Sequence, residues 1–164
     1  MDRLTPSIVI LIVVVGVFGL MYWGWRGRQH RQAGIAAPAA PPAGYTAELT
    51  PVPGMYVATT HAGENLERIN VHALGVRTNG ALFVGDQGVA IEREGADDIF
   101  IPAAAVEQAH AGSGMIGKFV ERDGLIIIRW NLGGTRVDTG FRPREHAQTK
   151  PAIAAVDELI GHHA

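Results

Sequence analysis

The longest apolar stretch of the chain runs from residue 7 to residue 25 and contains no charged residue. As a helix that rises about 1.5 Å per residue, this stretch would span roughly 28 Å, close to the hydrocarbon core of a bilayer. It ends in aromatic residues, which favour the membrane interface, and arginines follow directly. A secretory signal peptide has a shorter apolar core and a small-residue cleavage site immediately after it. The pattern therefore predicts a single-pass transmembrane helix at residues 7–25, preceded by a short tail at residues 1–6.

The charges on the two sides of this helix predict its orientation. Before it, Arg3 and the terminal amine are partly offset by Asp2, whereas three arginines and a histidine follow within six residues of its end. Because cytoplasmic flanks carry the excess of Lys and Arg, we expect the N-terminus outside the cell membrane and the rest of the chain in the cytoplasm. The residues expected at the membrane interface are Tyr22, Trp23, Trp25, Arg26, Arg28 and Arg31.

A basic and then Ala/Pro-rich segment covers residues 26–48. Within it, residues 32–44 show no periodic apolar face, and their prolines favour an extended backbone. Thirteen residues of this kind could reach about 40 Å, at about 3.1 Å each. We therefore predict a semi-rigid linker that is not part of the fold, with the folded domain beginning at residue 49.

From residue 49 onwards, short runs of β-branched and aromatic residues alternate with Gly-rich turns, as is typical of an antiparallel β protein. Asn79-Gly80 predicts a two-residue hairpin turn. Residues 125–132 are apolar almost throughout, which indicates a strand buried on both faces over part of its length, with Trp130 in the core. The predicted strands cover residues 55–60, 71–78, 81–84, 89–93, 99–101, 106–111, 125–132 and 135–141.

The end of the chain has a different periodicity. Ile153, Val156 and Ile160 recur at helical spacing, which predicts an amphipathic helix over about residues 150–161. We interpret the eight predicted strand segments as six or seven antiparallel strands, which with one following helix favour a small barrel or sandwich, in which the helix most simply covers one open mouth. This domain is predicted to occupy residues 49–164.

Four short segments of the predicted domain resemble a known family. They are Tyr56–Thr60, Val71–Arg77, Asp86–Val89 and Asp138–Arg142, and with the apolar helix they are similar to actinobacterial single-pass membrane-anchored proteins with a PH-like domain. The resemblance covers roughly Tyr56–Ile160. It implies the pleckstrin-homology superfold, a mainly β structure with a partly open barrel of about seven strands capped by a C-terminal α-helix. It implies no catalytic residue, because that family has no established activity and is at most loosely labelled as transport- or export-related.

Composition and charge narrow the possible functions. The chain of 164 residues has no cysteine, so disulfides and thiolate chemistry are excluded. From residue 45 onwards there are 10 basic and 15 acidic residues, whereas a nucleic-acid-binding domain is expected to be basic. Phosphoinositide-binding members of the superfold carry Lys and Arg on their first two strands. Here only Arg68 and Arg77 are candidates, and Glu67 adjoins the first. We therefore expect no nucleic-acid partner and no specific phosphoinositide binding.

A glycine-rich stretch, Gly112–Phe119, contains the pattern G-x-G-x-x-G and comes close to a P-loop. In a P-loop the last position carries the hydroxyl that holds Mg²⁺, and Phe119 has none. Both motifs also need a helix immediately afterwards, whose N-terminus cradles phosphate. Only a few residues separate this stretch from the next predicted strand, so we predict a loop between strands and no phosphate site.

The remaining polar residues show no pattern typical of a catalytic or metal site. The histidines lack metal-ligand spacing, and His72 is expected to be a structural residue within a strand. The acidic pairs Glu92/Glu94 and Asp97/Asp98 flank a predicted turn, where solvated carboxylates are expected. We therefore predict no enzyme, no catalytic residue, no metal and no cofactor.

These observations favour a non-enzymatic protein-interaction or scaffolding module that is tethered to the bilayer at the cytoplasmic membrane. A partner peptide could add to an exposed sheet edge. The alternative is an accessory subunit of a transport or export complex, which would need partners because one span forms no pore, or a small-ligand-binding domain. The sequence identifies neither the partner nor the binding surface.

Overall fold

A computed structural model describes residues 4–32, 34–119 and 121–163. The chain divides into two compact units, Met1–Gly34 and Ile35–Ala164.

The first unit contains one helix, α1, which runs from Leu4 to Gln32. Pro6 lies in its first turn, where a missing amide donor is tolerated. Every side chain from residue 8 to residue 24 is exposed. The described side chains are those of residues 8–24, 26, 32, 34–117 and 121–162. Among them, no helix contains a run of 18 residues that is apolar enough to cross a membrane.

The second unit is mainly β. Its strands are β1 (Val52–His61), β2 (Thr78–Gly85), β3 (Gly88–Arg93), β4 (Ile99–Pro102), β5 (Val106–Gly112), β6 (Gly114–Met115), β7 (Lys118–Phe119), β8 (Leu125–Leu132) and β9 (Thr135–Pro143). Seven of them form one antiparallel sheet in the order β4-β3-β2-β1-β9-β8-β5, while β6 and β7 form a separate hairpin. Hairpins join β2 to β3 and β8 to β9, with turns at Asp86-Gln87 and Gly133-Gly134.

Alternate residues of these strands point into a single interior. Leu82 of β2, Ile91 of β3 and Ile128 of β8 are fully buried and belong to one apolar cluster. Since strands from both halves of the sheet contribute to this cluster, the sheet curves around one core. Trp130 belongs to the same cluster and is 2% exposed, so its predicted core position is confirmed.

Helix α2, Thr149–His163, covers part of this core. Ala152, Val156 and Leu159 are buried in the same cluster, at the three- and four-residue spacing of one helix face. The helix packs chiefly against β5. The predicted C-terminal helix is therefore confirmed, and the open antiparallel sheet with this helix is the predicted mainly β fold.

A smaller apolar cluster lies on the outer face of the sheet. Met115 of the β6–β7 hairpin packs there with Val57, Leu125 and Ile127. Gly140 of β9 lies beneath the hairpin, because a Cβ at this position would come within 2.5 Å of the Met115 sulfur. Leu125 and Ile127 are thus buried on one face of β8 while Ile128 is buried on the other, as the apolar pattern predicted.

Two local predictions are wrong. Asn79-Gly80 forms no hairpin turn but lies inside β2, where Gly80 is opposite Gly54 on one side and Arg93 on the other. A glycine is needed there because a Cβ would collide with the carbonyl oxygen of Glu92. The predicted strand at residues 71–78 is a 3-10 turn at Val71–Ala73 followed by a connection, and β2 begins only at Thr78.

The predicted linker at residues 26–48 also needs correction. Its first part, as far as Gln32, belongs to α1. The part from Ile35 onwards belongs to the second unit and packs against the sheet. The folded domain therefore begins at residue 35 and not at residue 49.

Candidate interaction site

Residues 35–51, called here the strap, include most of the segment at residues 32–44 for which the sequence predicted a semi-rigid linker. Ile35 is buried in the core, and its carbonyl oxygen accepts a hydrogen bond from Nε2 of His72 at 2.9 Å. Further along, Ala39 forms an antiparallel bridge with Phe100, whose amide donates to the Ala39 carbonyl oxygen at 2.9 Å. The strap is therefore hydrogen-bonded to the edge strand β4.

Tyr45 fixes the middle of the strap on the outer face of the sheet. Its ring meets Phe100 edge-on, with 5.5 Å between the ring centroids. Its hydroxyl lies 3.0 Å from the carbonyl oxygen of Gly88 and 3.2 Å from that of Phe83, and its single proton is shared between these two acceptors. Burial raises the pKa of Tyr45 to about 12, so the hydroxyl stays protonated at neutral pH and continues to donate.

The end of the strap is attached to β2. The amides of Glu48 and Leu49 both donate to the carbonyl oxygen of Val84, at 2.9 and 3.2 Å. At the neighbouring Gly85, a Cβ would collide with the carbonyl oxygen of Thr46, so the close approach of the strap requires glycine. The strap thus contacts β2, β3 and β4 through fixed backbone geometry.

A groove of about 940 Å³ lies between the strap and the sheet. Tyr45, Leu49 and Phe83 supply its partly buried apolar surface. Glu48, Glu92 and Asp98 are exposed along it. The other residues that line it are Ala40, Pro41, Pro42, Gly44, Thr46, Ala47, Thr50, Pro51 and Ala90. The groove therefore combines apolar surface with carboxylates.

Two neighbouring depressions extend this acidic surface. One, of about 190 Å³, shares Glu48 and Leu49 with the groove and adds Asp86 and Glu158. The other, of about 460 Å³, shares Glu92 and Asp98 and adds Glu94 together with Arg93 and Arg144. Arg93 is 5% exposed, so it presents little of its charge to solvent. Carboxylates thus continue on both sides of the groove.

A family model described as bacterial PH domain-like matches residues 35–157. The chain belongs to the bacterial PH domain-like family. The match begins at Ile35, where the strap begins, in agreement with the strap as part of the PH-like domain.

A solved structure adds a likeness in fold. A chain of the 8S snRNP assembly intermediate is similar with a TM-score of 0.52 and 11% identity, over 79% of this chain and 92% of that chain. At this identity the likeness concerns the fold alone. No curated protein matches the chain.

The interior of the PH-like domain is filled by its own side chains. The loop between β1 and β2 folds inward, so that Ile69 and Leu74 are fully buried. The Tyr56 hydroxyl donates to the carbonyl oxygen of Leu74 at 2.6 Å, and burial raises the pKa of this tyrosine to about 12. The Arg93 guanidinium lies 4.9 Å from the centroid of the Tyr56 ring and donates to the Ala73 carbonyl oxygen. This loop closes one part of the core as α2 closes another.

The two edges of the PH-like sheet carry features that disfavour the addition of another strand. Strand β4 is four residues long, and the Phe100 amide is already bonded to the strap. Strand β5 has a bulge between Val106 and Gln108, carries the charged Glu107 there, and packs against α2. Short strands, bulges and charged residues disfavour the addition of another strand. The groove is therefore a better candidate for binding than either edge.

Ion pairs are concentrated on the other half of the sheet. The pairs among the described residues are Arg129–Asp138, Arg136–Glu107 and Arg142–Glu121. Burial alone would raise the pKa of Asp138, but hydrogen bonds from Arg129 and the Gly63 amide hold it below its usual value. On the strap side, Glu48, Asp86, Glu92 and Asp97 have no ion-pair partner within the described part of the chain.

The residues predicted at a membrane interface lie on α1. Tyr22, Trp23 and Arg26 are exposed, and the Arg26 guanidinium lies 3.5 Å from the Tyr22 hydroxyl. The side chains of Trp25, Arg28 and Arg31 lie outside the described residues. Their predicted role at a membrane stays a prediction.

The glycine-rich stretch Gly112–Phe119 continues from the end of β5 into the β6–β7 hairpin. Its turn is tight, with positive φ angles of 58° at Ile116 and 67° at Gly117. The last glycine of the motif, Gly117, is followed by strand β7, and the described residues 121–123 form a bend and a turn, in agreement with the predicted connection between strands. Arg68 and Arg77, the candidate phosphate ligands, lie in the loop between β1 and β2 and not on these strands.

One histidine, His72, does not lie in the strand predicted for it. His72 lies in the 3-10 turn with a φ of 55° and not in a strand, although it does make a structural hydrogen bond. Within the described residues, no three His, Asp or Glu side chains are grouped so that they could hold a metal ion.

Sequence reasoning missed the strap, and with it the groove. Tyr45 and Leu49 are large apolar residues beside an Ala/Pro-rich segment, and Ile35 stands alone among small residues. Large apolar side chains are not expected in a solvent-exposed spacer. Ile35, Tyr45 and Leu49 therefore indicated that this segment packs against the domain. Glu48, Glu92 and Asp98 gave no signal, because only the fold brings them to one groove.

Proposed function

We propose that this protein is a single-pass membrane protein whose PH-like domain acts as a non-enzymatic protein-interaction module on the cytoplasmic side. The acid-lined groove beside the strap is the observation that carries the interaction role. It is a preformed surface, whereas the interior is filled, the edge strand β4 is bonded to the strap, and the edge strand β5 is bulged and packs against α2. PH-like domains are generally non-enzymatic, which agrees with this role.

The sequence of α1 supports the proposed anchor. Residues 7–25 contain no charged residue, and the side chains of residues 8–24 are exposed in the first unit. A helix with exposed apolar side chains on all sides is unfavourable in water and suited to lipid. Arginines on the C-terminal side favour a cytoplasmic domain by the positive-inside rule.

Crosslinking in intact membranes tests the interaction role. A photoreactive residue replaces Thr50, which lines the groove, and a matched one replaces Gln108 on the exposed part of β5. We expect one defined protein adduct from position 50 and a weaker adduct or none from position 108. The same adduct from both positions, or none from either, would refute the proposed role for the groove.

A fusion at Ala164 tests the membrane orientation. A reporter that is active only in the cytoplasm should be active there, and one that is active only outside should be silent. Full release of the protein by alkaline carbonate extraction would refute the membrane anchor. Activity of the external reporter would refute the cytoplasmic orientation.

A further inference from the structure

The groove presents negative charge that the domain itself does not neutralise. Glu48 and Glu92 are exposed, and neither has an ion-pair partner among the described residues. Residues 45–101 contain 8 acidic and 3 basic residues. One of these basic residues is Arg93, which is buried and donates hydrogen bonds to the carbonyl oxygens of Asp97 and Ala73. A ligand that supplies cations would therefore find Glu48 and Glu92 without an ion-pair partner among the described residues.

The apolar surface of the groove restricts the ligand further. Tyr45, Phe83 and Leu49 are partly exposed within it, so a purely ionic ligand would leave them in water. Pro41, Pro42 and Pro51 fix φ and carry no amide donor, so the strap presents a stiff wall. A volume of about 940 Å³ is near the upper end of small-molecule sites. The groove is open, which suits an extended peptide.

We propose that this groove binds an extended peptide segment of a partner protein that carries both Lys or Arg and apolar side chains. The proposal rests on the proposed function, since it assigns the partner of the same domain. The cationic side chains pair with Glu48, Glu92 and Asp98. The apolar side chains cover Tyr45, Leu49 and Phe83.

Peptide titration of the full chain in detergent micelles tests the proposal. The probe is a fluorescent ten-residue peptide in which Arg alternates with Leu and Pro, and its binding is followed by fluorescence anisotropy. Replacing Glu48 and Glu92 together, as Glu48→Gln with Glu92→Gln, should weaken Kd about fivefold, as expected for the loss of two exposed charge contacts. Raising the salt concentration should weaken binding to the wild type more than to this variant.

A matched variant separates groove binding from general attraction between opposite charges. Glu64 and Glu67 are exposed in the loop between β1 and β2, so Glu64→Gln with Glu67→Gln changes the net charge equally outside the groove. We expect this variant to bind like the wild type. Equal weakening in both variants, or no binding by the wild type, would overturn the proposal.

The crosslinking and titration experiments distinguish failure of the basic-peptide assignment from failure of the proposed function. If the groove variant keeps the membrane crosslink of the wild type, the interaction role stands and the basic-peptide assignment fails. If the wild type gives no crosslink yet binds the probe with the expected dependence on Glu48 and Glu92, the proposed function fails and the groove chemistry stands. A probe with every Arg replaced by Gln should not bind, and binding by it would also overturn the assignment.

Discussion

The two halves of the PH-like domain, residues 45–101 and 102–164, differ in whether their charged side chains form ion pairs. Residues 102–164 contain 7 acidic and 7 basic residues, and the ion pairs found among the described residues lie there or link its strands. Residues 45–101 contain 8 acidic and 3 basic residues, and Glu48 and Glu92 along the groove form no ion pair in the described part of the chain. In residues 102–164 ion pairs link neighbouring segments, whereas in residues 45–101 the groove carboxylates are exposed to solvent. Charge that does not stabilise the fold is available for recognition.

The largest loss of stability is expected when the Asp138 carboxylate is removed. Its side chain is 2% exposed, accepts two bonds from Arg129 at 2.8 and 2.9 Å, and accepts one from the Gly63 amide. Asp138→Ala should lower the free energy of unfolding by about 3 kcal/mol, because it leaves Arg129 and an amide unpaired. Urea unfolding followed by tryptophan fluorescence measures this. A loss below about 1 kcal/mol would contradict a stabilising role for charge in this half.

A smaller loss is expected when the strap is loosened. Tyr45→Ala removes the contact with Phe100 and the hydrogen bonds to the sheet, and should cost about 2 kcal/mol. Tyr45→Phe keeps the ring and should cost about 1 kcal/mol. Hydrogen exchange at the Phe100 amide, which donates to Ala39, should accelerate more in the first variant than in the second. Unchanged exchange in both variants would show that the strap is held by other contacts.

Alkaline pH provides a milder way to perturb the same segment. The pKa of Tyr45 is raised by burial to about 12 in the folded protein, above the ordinary value of 10. Its neutral hydroxyl therefore stabilises the strap fully below pH 10, and this contribution is lost as the pH rises from 10 towards 12. Tyr56 titrates in the same range, so only the difference between the wild type and Tyr45→Phe reports on Tyr45. Identical alkaline unfolding curves, after the baseline difference is removed, would contradict this assignment.

The smallest effect is expected at the groove carboxylates. Glu92→Gln should change the free energy of unfolding by less than about 0.5 kcal/mol, because the side chain is exposed and unpaired in the described structure. Glu107→Gln, which breaks the pair with Arg136, is the control on the other half and should cost about 0.5 kcal/mol. Thermal unfolding of the two variants in parallel measures the difference. A larger loss for Glu92→Gln would show that the groove carboxylates serve the fold.

The strand pattern was predictable because alternation reflects which face is buried. The run at residues 125–132 and the helix spacing of Val156 come from contacts that are periodic in the sequence, and the structure confirms both. Asn79-Gly80 misled because a preferred turn sequence was overridden by tertiary packing, which requires a glycine where β2 passes Glu92. Glycine at position 80 is favoured by a hairpin turn, but in this fold it is required by the close approach of the Glu92 backbone.

The candidate site was less accessible to sequence reasoning. The strap has no periodicity, and its attachment depends on single residues that meet strands distant in the chain, such as Tyr45 with Gly88. Its proline content is equally typical of a spacer and of a rigid wall. The groove carboxylates come from three separate segments, so their proximity is a property of the sheet register and not of any local motif.

The strap also decides how far the domain can be shortened. A chain that begins at residue 49, the predicted boundary, would lack Ile35, which is buried in the core, and Ala39, which accepts a hydrogen bond from the Phe100 amide. It would also lack Tyr45, Pro41 and Pro42, which line the groove. We therefore expect the shortened chain to lose stability and one wall of the groove together.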